Sequence, residues 1–223
     1  MVLEQIDDGA QRLLLVLCLP LIDGVFATLL VTGAVSTFSD IITVGLTIFT
    51  GAGALAVLYS ESESRAEAFS MVNQVAPVLL AGAVVVALVA PVFDEIFYVS
   101  RLKYAAGLAL LTISGKLVDI DLAEKFSVPA VIVTGMFLSL RSGASLSTSL
   151  EYVLPALLTS GAAIGGLYLA SYVSRENLSL KYIRGGGAVV LTVISASLFG
   201  FNVPSHLSLA LFMLSIVLSY NRG

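Results

Sequence analysis

Residues 76–93 read APVLLAGAVVVALVAPVF, without a single charge. A run of roughly 17–25 mostly apolar residues is what a helix needs to cross the hydrocarbon core of a bilayer. In water such a helix would have no polar face to turn outward. Seven further stretches on either side approach the same character: 13–34, 41–59, 103–120, 128–142, 152–172, 183–201 and 206–220. The sequence therefore predicts an all-α fold, a polytopic transmembrane helical bundle of about eight spans. It forms one transmembrane domain over 1–223.

Composition agrees. The chain is 58% hydrophobic and 12% charged, with mean hydropathy +1.01. Soluble domains carry about 25% charged residues, so half that density leaves too little charge to clothe a water-facing surface. The net charge of -4 is spread along the chain and gives no basic patch, which excludes a nucleic-acid partner. Cys18 and His206 are each the only residue of their type. An internal disulfide, a cysteine metal cage and a multi-histidine site are thereby excluded. No cofactor motif is present, so neither metal nor cofactor is expected.

Glu4, Asp7 and Asp8 outweigh Arg12 ahead of the first apolar run, so that run reads as a retained span rather than a cleaved signal. With eight spans, Arg12, Arg65, Lys116, Lys125, Arg175, Lys181, Arg184 and Arg222 fall on one side. Only Arg101, Lys103 and Arg141 fall on the other. This asymmetry places both termini in the cytoplasm of a cell-membrane protein whose main partner is the lipid bilayer. The charged stretch at 60–75 reads as a solvated connector or a short surface helix.

Two segments echo each other. Val75, Pro77, Leu79 and Leu80 match Val153, Pro155, Leu157 and Leu158. Leu102-Lys103-Tyr104 with Gly107 matches Leu180-Lys181-Tyr182 with Gly185, and Leu138-Ser139 matches Leu218-Ser219. Repeats over 74–142 and 152–221, with a partial copy over 1–60, would contain three spans each. Consecutive three-span copies lie in opposite orientation, the geometry of inverted-repeat transporters. The competing explanation is chance likeness among apolar helices.

Asp23 is the leading candidate for chemistry, because a carboxylate inside an apolar span must face a polar interior, pair, or be protonated. Pro20 frees a backbone carbonyl nearby, and Gly24 allows close approach of a helix or an ion. The alternative is an acid sealed by Ser or Thr hydroxyls or by Lys116. Ser114, Lys116 and Asp119 in the fourth span, and Ser195 in the seventh, complete the candidate ion- or solute-binding set. Lys116 and Asp119 are spaced to pair on one helix face, which also suits a simple ion pair at the membrane surface. Gly161, Gly165 and Gly166 in the sixth span suit tight helix packing, and a homo-oligomer is compatible with that face.

Thr159-Ser160-Gly161-Ala162 loosely resembles the serine motif of rhomboid proteases, with His206 on a later span. Leu158 stands where the motif has glycine, and the upstream histidine–asparagine pair is absent. An intramembrane serine hydrolase is thus the remote alternative, and the chain is not expected to be an enzyme. Pro20-Leu21-Ile22-Asp23-Gly24-Val25-Phe26 and Leu46-Thr47-Ile48-Phe49-Thr50-Gly51-Ala52-Gly53 resemble a poorly characterised family of archaeal multi-pass membrane proteins. The likeness covers the first quarter of the chain and, beyond it, only the layout of spans. It implies archaeal origin and carries no function. The function expected from the residues is a small secondary transporter or channel for an ion or small solute. The second reading is a non-catalytic scaffold or partner-binding subunit.

Overall fold

The computed structural model describes residues 6–142, 150–173 and 179–220. Arg175 and Arg222, counted for orientation, lie outside them, as do the ends of two proposed repeats. Every regular element among the described residues is helical, apart from one antiparallel bridge between Phe97 and Leu140.

Helix α1 (Asp8–Ile22) starts behind an extended Asp7, with Asp8 in the first turn where a carboxylate favours the helix dipole. It buries Ala10, Leu13, Leu14 and Leu17. Gly24, at φ +80, ends it and turns the chain by 46° into α2 (Val25–Val31), every residue of which is buried. The predicted first span is therefore two helices. The second span is broken as well. Thr37 and Asp40 form a reciprocal cap on α3 (Phe38–Val44). A π-helical turn (Gly45–Phe49) follows, and α4 (Ala52–Glu61) leaves at 51°. The two breaks adjoin, since Phe26 and Phe49 meet edge to face at 5.1 Å.

Helix α5 (Arg65–Ile96) runs 32 residues. The stretch at 60–75 is mostly its first turns rather than a connector. Ser64 caps it by accepting from the Glu67 N–H at 3.2 Å. Ala68, Val72, Val75, Leu79, Ala83, Ala87 and Ala90 then form one continuous buried stripe. Next come α6 (Val99–Leu117), the short α7 (Asp121–Glu124), α8 (Val128–Ser139), α9 (Val153–Tyr172), α10 (Leu180–Leu198) and α11 (Ser205–Tyr220).

By length and composition, α5 and α9 can each cross a membrane, with mean hydropathies of 2.6 and 1.6 over their best windows. Counting each bent pair as one span brings the number to four. The other helices fall short for identifiable reasons. Arg101, Lys103 and Lys116 lie within α6, and Lys181, Arg184 and three glycines open α10. With 12 and 16 residues, α8 and α11 reach only about 18 and 24 Å against a core of about 30 Å.

The helices close into a ring. α5 packs against α1, α2 and α9; α9 against the π turn and α3; α3 against α11; α11 against α10; α10 against α6; and α6 against α8 and α2. Contacts recur along this ring. The Tyr98 N–H donates to the Ser139 carbonyl at 2.7 Å where α8 meets α6. The Ser179 N–H donates to the Ser219 carbonyl at 3.3 Å where α11 meets α10. A Cβ on Gly135 would stand 2.1 Å from that of Ala105, and one on Gly186 2.0 Å from that of Ser215. Buried hydroxyls are satisfied within the helices, as where Thr28, Thr47, Thr159 and Ser171 donate to carbonyls four residues back. Among the described residues no enclosed side-chain nitrogen or oxygen lacks a partner.

Candidate functional site

The break in the first span is built from local chemistry. Pro20 removes one backbone donor inside α1. The last helical bond runs from the Asp23 N–H to the Leu19 carbonyl at 3.0 Å. Gly24 then takes a left-handed conformation that a side chain would strain. The carboxylate of Asp23 turns back and accepts from the Val25 N–H at 3.0 Å, at the positive end of α2. The Thr28 hydroxyl donates to the Gly24 carbonyl at 2.8 Å, which holds the far side of the turn.

Asp23 lines an open cleft of about 490 Å³ between α1, α6 and the turn from α7 into α8. Lys116 lines the same cleft, with Glu124, Lys125 and Ser127 at its rim. Asp23 and Lys116 are each half-buried. Among the described residues no Ser or Thr hydroxyl bonds to the acid, which accepts from local backbone. Among the described residues, an acid and an ammonium thus share one open cleft without a contact ion pair.

The remaining candidates go elsewhere. Asp119 does not pair with Lys116. α6 ends at Leu117, Asp119 takes φ +57, and its carboxylate meets Arg184 at 2.8 Å. The unwinding of the last turn removes the helical spacing on which the expected pair depended. Arg184 also donates from Nε to the Leu117 carbonyl at 3.0 Å, tying α10 to the end of α6. Ser114 is buried and donates to the Ala188 carbonyl at 2.7 Å, with Thr192 Oγ1 at 2.8 Å. Ser195 is fully buried and donates to the Gly107 carbonyl at 2.7 Å. These two serines fasten α6 to α10 and do not line the Asp23 cleft.

The glycines divide likewise. Gly166 packs against Leu46 and Thr50 of the second break. Gly161 and Gly165 face open space, with nothing within 4 Å of an added Cβ. Gly45 makes a close backbone approach to α9, since its added Cβ would lie 2.5 Å from the Thr159 carbonyl oxygen. Thr50 reinforces it by donating to the Ala163 carbonyl at 2.8 Å. Ser160 spends its hydroxyl on the Ala156 carbonyl at 2.7 Å, while His206 is exposed at the start of α11. Nothing there resembles a poised nucleophile and base.

Sequence reasoning missed Glu124, Lys125 and Ser127 as cleft residues, because only the packing of α8 on α6 brings their turn to Asp23. It also missed Gly45, whose small size matters through a neighbour 114 positions away.

Residues 79–199 match the model of a family of unknown function (DUF5794). The match covers more than half the chain, and the protein belongs to that family. It runs from within α5 to the end of α10, so the Asp23 break precedes it. No curated protein and no solved structure matches the chain.

Proposed function

We propose that this member of the family is a multi-pass protein of the cell membrane that moves an ion or small solute, with Asp23 as the binding or coupling group. The observation that carries the reading is the open cleft in which Asp23 and Lys116 sit at a helix break. A buried acid with a purely structural role would be expected beneath hydroxyl donors. Discontinuous helices presenting a charged group are a recurring way to build a transport site.

The eight-span arrangement, with both termini cytoplasmic, is part of the same proposal. The wide exposure of Leu15, Ile22, Val85, Phe137, Leu169 and Val217 supports it, because such a surface suits lipid and not water. So do the contacts that recur between α6 with α8 and α10 with α11. We take α5, α6 and α8 as one unit and α9, α10 and α11 as its inverted copy. α6 and α10 run antiparallel, as do α5 and α9, where Phe69 meets Tyr172 and Asn73 accepts from the Tyr168 hydroxyl. A two-fold axis relating antiparallel neighbours lies across them, in the plane of the membrane.

Purified protein in proteoliposomes tests the function. Asp23→Asn should abolish flux while thermal unfolding in detergent stays close to that of the parent. Flux that survives the substitution at parental rates removes Asp23 from the mechanism. A second reading, a partner-binding subunit, draws on the open face at Gly161 and Gly165, since small residues four apart admit another helix closely. It predicts co-purification with a membrane partner that is lost on Gly165→Leu, and no flux.

A further inference from the structure

A second pocket, of about 190 Å³, lies where α6 and α11 begin, α10 ends, and the chain passes from α2 to α3. Thr32, Asp40, Lys103, Ser197 and Ser208 line it. Lys103 and Lys116 are 13 residues apart on α6, about 20 Å along the axis, so this pocket and the Asp23 cleft open at opposite ends of the bundle.

The two pockets share part of their lining pattern. Ile113, Lys116 and Ser127 line the Asp23 cleft. Ile194, Ser197 and Ser208, each 81 residues further on, line the second pocket. Each pocket also holds one aspartate from the broken N-terminal helices and one lysine of α6, although the α10 positions that correspond to the two lysines are Ser197 and Arg184. The same separation of 81 relates the bonds Ser114 to Ala188 and Gly107 to Ser195. That separation holds between α6 and α10, whereas α8 and α11 correspond at 80, as Ser139 with Ser219 and Gly135 with Ser215 show, so the likeness of the pockets rests on α6 and α10.

Ser208 adds a hydroxyl to the pocket wall. It is only 4% exposed and lines the pocket. Asp40 is held in place by the Thr37 hydroxyl at 2.6 Å on one oxygen, which leaves the other oxygen available. Lys103 makes no ion pair with it. A lone cation in so small a space is repelled by Lys103 and a lone anion by Asp40. A solute carrying both charges satisfies both residues.

We propose that the Asp40, Lys103 and Ser208 pocket is a second solute site, on the membrane face opposite the Asp23 cleft, and that it takes a small zwitterion bearing a primary ammonium and a carboxylate. The ammonium would donate to Asp40 and the carboxylate accept from Lys103 and Ser208. This rests on the transport reading, and it names the substrate class.

Thiol labelling tests it in the full chain carrying Cys18→Ala. In vesicles of the expressing cell, Ser208→Cys should react with a membrane-impermeant maleimide from the outside, and Ser127→Cys only from the cytoplasmic side. Ser197→Cys is the second reporter should Ser208→Cys fail to fold. Glycine at twice its dissociation constant should slow modification about threefold, by simple occupancy. Glycine betaine, which has no N–H, should not, and Lys103→Gln or Asp40→Asn should remove the protection. Labelling of both positions from one face, or equal rates with and without glycine, overturns the proposal. Glycine uptake measured in parallel separates the two readings. Protection without flux leaves the site standing and defeats transport. Asp23-dependent flux of another solute without protection leaves transport standing and defeats the site.

Discussion

Ser114 and Ser195 make the same contact from opposite sides of one helix pair. Each donates a 2.7 Å hydrogen bond to a carbonyl of the facing helix, Ala188 for one and Gly107 for the other. The donors lie 81 positions apart, and so do the acceptors. Single hydroxyl bonds between membrane helices contribute about 0.6 kcal/mol on average and at most about 1.7.

The two serines should nevertheless respond unequally to removal. Thr192 also donates to the Ala188 carbonyl, at 2.9 Å, and backs up Ser114. Ser195 has no such reserve. Ser195→Ala should lower the unfolding midpoint in detergent by about 2–4 °C, the shift expected of roughly 1 kcal/mol in a chain of this size. Ser114→Ala should change it by less. Equal losses would mean that Thr192 does not substitute for the missing hydroxyl.

Glycines that look alike in sequence should behave differently. At Gly45 an added Cβ meets backbone oxygen at 2.5 Å, so Gly45→Ala should destabilise by about 1–3 kcal/mol through overpacking. At Gly161 an added Cβ meets nothing within 4 Å, and alanine is the better helix former by about 1 kcal/mol, so Gly161→Ala should be neutral or stabilising. Thermal melts of the two proteins side by side decide the matter.

Gly24 should be less replaceable than its place between polar and apolar neighbours suggests. Its φ of +80 is costly for any residue with a Cβ, and Met136 lies 3.1 Å from where that atom would be. Gly24→Ala should cost about 1–2 kcal/mol. It should also disturb any Asp23-dependent flux, because the turn that presents the carboxylate would open.

The Arg184–Asp119 pair tests how much a surface charge contributes here. Both partners are well exposed, at 41% and 77%, so Asp119→Asn should cost less than about 1 kcal/mol, and less still at high salt. Arg184→Ala should cost more, since it also releases the Leu117 carbonyl at the end of α6. Urea titrations at two ionic strengths would show whether the two losses differ.

What could be read from the sequence was what local chemistry announces. Pro20, Asp23 and Gly24 mark the first break, because each acts on its own backbone whatever surrounds it. The second break is marked more faintly, by Gly51 just ahead of α4, where an added Cβ would stand 2.3 Å from the Thr47 carbonyl oxygen. Its π turn depends on the approach of Gly45 to α9, a relation between distant positions. The first turns of α5 were concealed by Glu63, Arg65 and Glu67, whose charges suggest a connector although Ala68, Met71 and Val72 already face the core. The site shows the same division. Asp23 and Lys116 stand out as charges within apolar runs, whereas Ser127 and Ser208 gain meaning only from packing.

The brevity of α8 bears on how the acid would be hydrated. As one of the eight proposed spans, a helix of 12 residues would leave several ångströms of hydrocarbon thickness unmatched. In a bilayer the leaflet must dimple there, or headgroups and water must descend to the helix end. That end is Ser127 and Val128, at the mouth of the cleft beside Asp23. A truncated neighbour thus shortens the route from the bath to the carboxylate, and no long aqueous shaft through the bundle is required.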